Sequence, residues 1–517
     1  MIRMDEQQYA RTAFLATRSD KVLFALSAAA AVFYFFLLLL YFPIGNRTLF
    51  MLLVIGQSFH LWQLLTFIHT VWDTEHEPVA GYVDLSVDVF ITVTGEPRSI
   101  IEETVRAALA MEYPHTRVYI LNDGYVAGKD NWRESVEVAR ELGAECITRT
   151  KKGGAKAGNI NNALRQTNAP LIAIFDADHV PHPDFLRKCV RYFADPAMAF
   201  VQTPQFYKNA QDSYVSKSAW EQQELFFGPI CKGKNRLNAA TMCGTNMLVR
   251  RAALEEVGGM AEESIAEDFV TGLFLHERSW KSYYLPEVLA EGLAPHDLGS
   301  YYKQQFRWAR GALDIIFRYN PLFRRGLSWT QKMQYLASAS FYFTGLIVAV
   351  YASLPLLFFY FGLVPLEIAG MLLASVLLPY LFLTLYTIQL SSNFSYTFNA
   401  LAFSMAAFNV HIAAIFAAAL RRTSAFLVTP KEREGGSAFG YVVPQMLYVA
   451  LAAAGLIIAL EREGLSASVV NNAAWAVMYV VIFATFIRAA LPQSSARRLP
   501  SLNLSPQIKR VADQARR

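Results

Sequence analysis

Charged residues are scarce in this chain. Asp, Glu, Lys and Arg make up 17% of its 517 residues, against roughly 25% in an average soluble domain. Hydrophobic residues make up 54%. That balance excludes intrinsic disorder and argues against a wholly soluble protein. Cysteine is rarer still: Cys146, Cys189, Cys231 and Cys243 are too few for a disulfide scaffold, and no pair has the C-x-x-C spacing of a zinc site. There is no internal repeat, no low-complexity segment and no G-K-[ST] to close a Walker A loop. The formal net charge is +5, without a basic stripe in the polar part of the chain, so nucleic acid is not an expected partner.

Charge is not merely low but unevenly placed. Residues 22–45 and 48–72 contain no Asp, Glu, Lys or Arg, and neither do 333–366, 368–420, 437–460 and 465–487. Each run is long enough to cross a hydrocarbon core of roughly 30 Å as a helix. The first is too long for a cleavable signal peptide and is followed at once by another. Lys/Arg-rich flanks mark the cytoplasmic side. The leading tail carries Arg3, Arg11, Arg18 and Lys21, and the trailing one Arg488, Arg497, Arg498, Lys509, Arg510, Arg516 and Arg517. Both tails therefore read as cytoplasmic, which requires an even number of crossings. The expected layout is a tail (1–21), two spans (22–72), a cytoplasmic domain (73–332), spans within 333–390, an interfacial helix and loop (391–436), two spans (437–490) and a basic tail (491–517). A seventh or eighth span hidden in 333–420 is the alternative.

The polar region alternates strand and helix patterns. Residues 87–94 form a β-branched run that reads as a buried strand. Further strands are expected at 117–121, 144–148 and 171–175, with helices from Pro97 to about Met111 and over 131–142 and 155–165. This pattern predicts parallel βαβ units, with ligands beyond the carboxyl ends of the strands. The acidic residues fall there: Asp123 after one strand, Asp176 and Asp178 after another.

Two carboxylates one residue apart in a turn can face one hard divalent cation, which takes its remaining ligands from substrate phosphates. His179 follows and can serve as ligand or as packing. Asp123 can accept from a uracil imide N–H, or simply form a turn before Gly124. The loop Lys151-Lys152-Gly153-Gly154-Ala155-Lys156 runs into a helix, an arrangement suited to phosphate, with Lys156 as a point charge. Glu267 and Asp268 begin an apolar helix. Acidic groups there are ordinary complements of the helix dipole, but a transferase also needs a carboxylate to take a proton from an attacking hydroxyl. Gln304, Arg307 and Trp308 lie just before the second membrane block, where Trp308 offers a flat face to a sugar ring or an anchor to the interface.

In their order and placement these residues resemble the cellulose synthase-like, processive members of glycosyltransferase family 2. That pattern is a first Asp, a D-x-D, a T-E-D and a Q-x-x-R-W, matched at Asp123, Asp176/Asp178, Glu267/Asp268 and Gln304/Arg307/Trp308. Lys156-Ala157-Gly158-Asn159, Gln202-Thr203-Pro204 and Cys243-Gly244-Thr245 match as well. Phe426, Val428, Thr429 and Lys431 look like the family's F-x-V-T-x-K gating loop. Three departures stand out. Thr94-Gly95-Glu96 replaces the usual Y-N-E, keeping Glu96 but losing an aromatic. Ala266 replaces the threonine of T-E-D. Glu432 stands where glycine is usual. With only a short stretch after the last span, a PilZ domain is not expected.

The resemblance implies an α/β GT-A, Rossmann-like domain between transmembrane helices of a bacterial inner membrane. It implies an inverting, processive transferase that builds a β-linked polysaccharide from a UDP-sugar, most simply UDP-glucose, and passes it across the bilayer. Glu96, Asp123, Lys156, Asp176, Gln304 and Arg307 would bind the nucleotide sugar, and Asp176 and Asp178 would hold Mg²⁺ or Mn²⁺. Asp268 would be the base with Glu267 beside it. Trp308, Cys243 and Gly244 would contact the acceptor, and accessory export subunits would be further partners. A non-processive transferase acting on a lipid carrier, and an inactive channel or scaffold, are the rival readings. Asn393, Asn399 and Asn409 are candidates for a channel wall or for helix packing.

Overall fold

The computed structural model describes residues 16–368, 370–420 and 438–491. Its polar part is built on a seven-stranded sheet and a small three-stranded one. The strands are β1 (Val87–Val93), β2 (Thr116–Asn122), β3 (Glu145–Thr148), β4 (Leu171–Asp176), β5 (Val180–Pro181), β6 (Met198–Gln202), β7 (Phe206–Tyr207), β8 (Met247–Arg250), β9 (Lys281–Tyr284) and β10 (Ala290–Gly292). The large sheet runs β3-β2-β1-β4-β8-β6-β9 and the small one β5-β10-β7.

Every residue of β1 is buried, as expected of a central parallel strand covered on both faces. Val89, Ile91 and Val93 pack into one apolar cluster with Ile101 and Val105 of the helix Arg98–Leu109. Phe90 points the other way, into a second cluster with Tyr119, Ile172 and Ile160. Helices on both faces follow from this alternation. β1 pairs in parallel with β2 on one side and β4 on the other, aligning Val93 with Asn122 and Thr92 with Asp176. The chain direction of strand addition therefore reverses at β1, the crevice where such sheets bind ligands.

The parallel expectation holds for β1 to β4, and β6 and β9 are also parallel, but the sheet as a whole is mixed. β8 runs antiparallel to β4 and to β6. An apolar run such as Met247–Val249 looks the same in either direction, so its orientation was not readable from pattern. The consequence is functional: an antiparallel β8 begins where β4 ends, which brings the loop at Cys243-Gly244-Thr245 to the carboxyl end of β4.

Among the described residues, six helices are long and apolar enough to cross a membrane: Arg18–Leu40, Arg47–Val71, Trp329–Phe361, Gly370–Ser391, Ala438–Glu463 and Ala467–Ala490. The stretch read as one interfacial helix is two, Phe398–Ala406 and Phe408–Ala419, bent by 45°; taken together they would make a seventh crossing. Asn399 pairs with the soluble domain. It accepts from the Tyr214 hydroxyl (2.5 Å) and donates to Ser218 Oγ (3.0 Å) and Glu221 Oε2 (2.9 Å), tying a soluble helix to Phe398–Ala406. Asn409 donates to the Tyr441 carbonyl (3.0 Å) and accepts from Gln445 (3.1 Å).

One buried ion pair pins the sheet. Asp88 Oδ2 accepts from Arg251 Nη2 at 3.1 Å and from the Ala169 amide at 2.9 Å, and Arg251 also reaches the Ala169 and Leu164 carbonyls. Removing one partner of such a pair strands the other charge away from water. Asp88→Ala is expected to cost about 3–5 kcal/mol, measured as a lower melting temperature of the detergent-purified protein.

Candidate active site

One cleft at the carboxyl ends of β1, β2 and β4 gathers Glu96, Asp123, Lys156, Asp176, Asp178, Cys243, Glu267, Asp268, Gln304, Arg307 and Trp308. They come from positions more than 200 apart in sequence. Gly244 lies against Asp268 at its edge. The loop residues Phe426, Val428, Thr429 and Lys431 lie outside the described residues.

Asp123 follows β2 and is buried. Arg149, just past β3, grips it with two hydrogen bonds, Nε to Oδ1 at 2.8 Å and Nη2 to Oδ2 at 2.6 Å. The same guanidinium reaches the Gly153 and Ala155 carbonyls, so one side chain joins the Asp123 turn to the glycine-rich loop. Burial pushes the Asp123 carboxyl up, with Arg149 opposing. Sequence reasoning missed Arg149. The signal was there in principle, since a buried carboxylate needs a cation, and the next strand end supplies one. Glu96 accepts from the Thr94 amide at 2.6 Å, which turns its carboxylate back over the end of β1.

Lys156 sits in the first turn of the helix Ala155–Leu164, entered through Gly154 in the left-handed region (φ +63°). Its ammonium lies 2.5 Å from Asp176 Oδ1 and 2.9 Å from the Gly244 carbonyl. Burial pulls the Lys156 pKa down, but Asp176, Glu267 and Asp268 push it up by more, and the net shift is upward. Asp176 shows the converse. Burial would raise its carboxyl, but Lys156 and His179 outweigh that and hold it low. Its second anchor is the Thr92 hydroxyl, 3.1 Å away across the β1–β4 register.

Asp176, Asp178 and His179 present ligand atoms within 4.8 Å of one another. His179 is buried, its Nδ1 is 3.5 Å from Asp178 Oδ1, and neither ring nitrogen hydrogen-bonds to protein. A Cβ on Gly292 would come within 2.4 Å of Nε2, so β10 can lie against the ring only as glycine. Two hard carboxylates and an unsatisfied imidazole on one turn are a donor set that fits a divalent cation while leaving positions for phosphate oxygens.

Glu267 and Asp268 open the helix Glu267–Glu277, where the dipole favours negative charge. Asp268 Oδ1 accepts from the Phe269 amide at 2.7 Å. Gly244, at φ +79°, lets the Cys243 loop pass beneath it; a Cβ there would stand 2.7 Å from Asp268 Oδ2. Burial and the neighbouring Asp268 push Glu267 up to about 7, and burial also raises Asp268. Opposite runs the helix Leu298–Phe317. Gln304, Arg307 and Trp308 share one of its faces by their i, i+3, i+4 spacing. Tyr207, also missed in the sequence, lines the cleft beside Gln304 and accepts from Gln223 Nε2 at 2.8 Å.

A mixed sheet with its ligand crevice at the β1 switch point and an acidic cluster beneath it defines a GT-A glycosyltransferase domain. Residues 86–311 match the family model described as glycosyltransferase like family 2, and residues 255–396 the model described as cellulose synthase. The chain is thus similar to glycosyltransferase family 2 and cellulose synthase proteins over residues 86–396. A UDP-forming cellulose synthase catalytic subunit from Pseudomonas fluorescens is 35% identical over 61% of this chain and 43% of its own length. A putative cellulose synthase from Komagataeibacter xylinus is 30% identical over 88% of this chain and 31% of its own length. The chain thus spans less than half of these relatives. A mannosyltransferase from Pyrobaculum calidifontis, solved with GDP-Man and Mn²⁺, shares the fold with a TM-score of 0.51 at 16% identity, covering 72% of this chain and 100% of that one.

The raised Glu267/Asp268 pair fixes the sign of a pH effect. If this pair supplies the base, it must be ionised, so turnover is lost as pH falls through its raised range, and the acid limb of kcat/KM is expected above the ordinary carboxylate range. Glu267→Gln, which removes the like charge beside Asp268, should move that limb to lower pH.

Proposed function

We propose that the protein is an inverting, processive glycosyltransferase of the bacterial inner membrane that polymerises sugar from a UDP-sugar into a β-linked glycan, with UDP-glucose as donor. One observation carries this reading: the acidic cluster, Lys156 and Trp308 share a single cleft, and the helix bearing Trp308 packs through Ala309 and Leu313 onto Ala414 and Ala418 beside the membrane helices. The names of the relatives support UDP as the leaving group and glucose as the sugar.

In this reading the uracil imide N–H donates to Asp123, held in place by Arg149. Glu96 closes the base end of the cleft. The diphosphate sits beside Lys156, and Gln304 and Arg307 approach it from the opposite helix. Asp176 and Asp178, with His179, hold Mg²⁺ or Mn²⁺, which when bound offsets the charge of the departing UDP. Asp268 accepts the proton of the acceptor hydroxyl, with Glu267 beside it. The freed oxygen attacks the anomeric carbon from the face opposite UDP. A new C–O bond forms as the sugar–phosphate bond breaks, the electron pair leaves with UDP, and the configuration inverts in one displacement, unlike the two-step retaining route. Trp308 stacks on the acceptor ring, while the Cys243-Gly244 backbone borders it. The product passes between the membrane helices, and accessory export subunits take it beyond.

The defining test is incubation of purified protein with UDP-glucose and Mg²⁺, followed by digestion of the product with linkage-specific glycosidases. A glucan degraded by a β-specific enzyme is expected; a single-sugar product would reject processivity. Asp268→Asn is expected to reduce turnover by about 10²-fold or more with UDP affinity intact, and normal turnover would show that another group is the base. Asp178→Ala should lose the Mg²⁺-dependent part of UDP binding in calorimetry, leaving the affinity that wild type shows in EDTA.

A further inference from the structure

The helix that presents Glu267 and Asp268 is anchored at its far end by a residue no part of the proposed chemistry uses. His276 is buried one residue before that helix ends. Both ring nitrogens are satisfied: Nδ1 lies 2.7 Å from the Tyr335 hydroxyl, and Nε2 2.7 Å from Ser282 Oγ on β9. Burial pulls its pKa down to about 3. The ring is therefore neutral, with one nitrogen donating and the other accepting.

Tyr335 belongs to the helix Trp329–Ser340, which leads into the third membrane-spanning candidate. It touches both ends of the base-bearing helix. Its hydroxyl holds His276, and its ring lies 5.3 Å from that of Phe269, the neighbour of Asp268. Between these points Gly272 faces the Tyr335 hydroxyl, which lies 3.5 Å from where a Cβ would stand. Trp329–Ser340 is itself fixed on both sides. Gln331 donates to the Asn238 carbonyl at 2.7 Å, and Asn238 Oδ1 accepts from the Ser282 amide at 2.9 Å, closing the loop back to His276. The Ser338 hydroxyl accepts from the buried Lys234, which also holds Thr241, two residues before Cys243. On the membrane side, Gln334 donates to Thr70 Oγ1 at 2.8 Å, and Gln63 reaches the Ala337 carbonyl and Ser340.

We propose that Tyr335 and His276 are positioning residues for the transfer step: the Ser282–His276–Tyr335 chain clamps the base-bearing helix to the helix entering the membrane, so that membrane packing sets where Asp268 stands. The chemistry explains why these residue types serve. A neutral imidazole flanked by two hydroxyls bridges three elements without adding charge to a cleft already crowded with carboxylates. The clamp rests on the reading of Asp268 as base, and it makes a different demand from it. It acts on placement, and a displacement of about 1 Å can cost up to about 10²-fold in rate.

The test uses the full chain in detergent or lipid nanodiscs. Tyr335→Phe keeps the ring and removes the hydroxyl; Ser282→Ala cuts the other side. Both are expected to lower kcat, Tyr335→Phe by about tenfold, with KM for the UDP-sugar and calorimetric UDP affinity within about twofold of wild type. His276→Gln, which can still donate and accept, should recover part of the activity lost in His276→Ala. If Tyr335→Phe does not fold, Ser282→Ala and the His276 pair carry the test. Wild-type kcat in Tyr335→Phe and Ser282→Ala would overturn the proposal, as would a fall in UDP affinity matching the fall in kcat, which would mark general loosening. Asp268→Asn run alongside separates the two readings: normal turnover there rejects the base, whereas inactive Asp268→Asn with fully active clamp variants rejects only the clamp.

Discussion

Crowding of negative charge around one ammonium organises this domain. Asp176, Asp178, Glu267 and Asp268 line the same cleft, and the structure sets Lys156 against Asp176 at hydrogen-bond distance. The charges compete for it. Asp176 is held low by that contact, while Glu267 and Asp268, sharing the ammonium only at longer range, are raised. Such divergence among neighbouring carboxyls is how one site holds both a permanently charged group and one able to take a proton near neutrality. The turn at Asp176, Asp178 and His179 is a donor set that fits a divalent cation, and such a cation would offset the further negative charge of a diphosphate ligand.

The fold supplies that crowding through register rather than sequence proximity. Parallel pairing of β1 with β2 and β4 sets Asn122 and Asp176 level with the end of β1. The antiparallel entry of β8 then adds the Gly244 carbonyl, and the helices starting at 267 and 298 close the far side. Glycine is needed where backbones meet side chains at this focus. At Gly244 the left-handed φ and the proximity of Asp268 coincide, and at Gly292 the His179 ring occupies the place of a side chain.

Much of this was legible because chemistry follows strand ends. Asp123, Asp176 and Asp178 fall after apolar runs, which placed them at strand ends, whereas Gln304, Arg307 and Trp308 stood out through their resemblance to a Q-x-x-R-W motif. What pattern could not give is anything set by a non-local partner. Arg149 reads as one more basic residue in a polar loop until Asp123 is seen beside it. Tyr207 lies on a two-residue strand too short for periodicity. The direction of β8, and the break near Ala407 that divides an apolar stretch into two helices, depend on packing that an uninterrupted hydrophobic run leaves undetermined. Asn399 is a candidate for a channel wall or for helix packing on sequence grounds; its partners, Tyr214, Ser218 and Glu221 of the soluble domain, are visible only in the fold.

Ala266 shows how a departure from a family pattern can leave a site intact. The threonine hydroxyl usual at this position is lost, yet Glu267 and Asp268 still face Lys156 closely enough to raise its pKa. Their placement is held instead by backbone approach. Gly311, one turn beyond Arg307, lies so near that a Cβ on it would meet the Ala266 Cβ at 2.4 Å and its amide nitrogen at 2.8 Å. A contact of this kind tolerates no side chain on the glycine and fixes the start of one helix against the middle of the other. The register between the carboxylates and the Gln304–Trp308 face is therefore carried by main-chain packing, which a change of side chain at 266 does not remove.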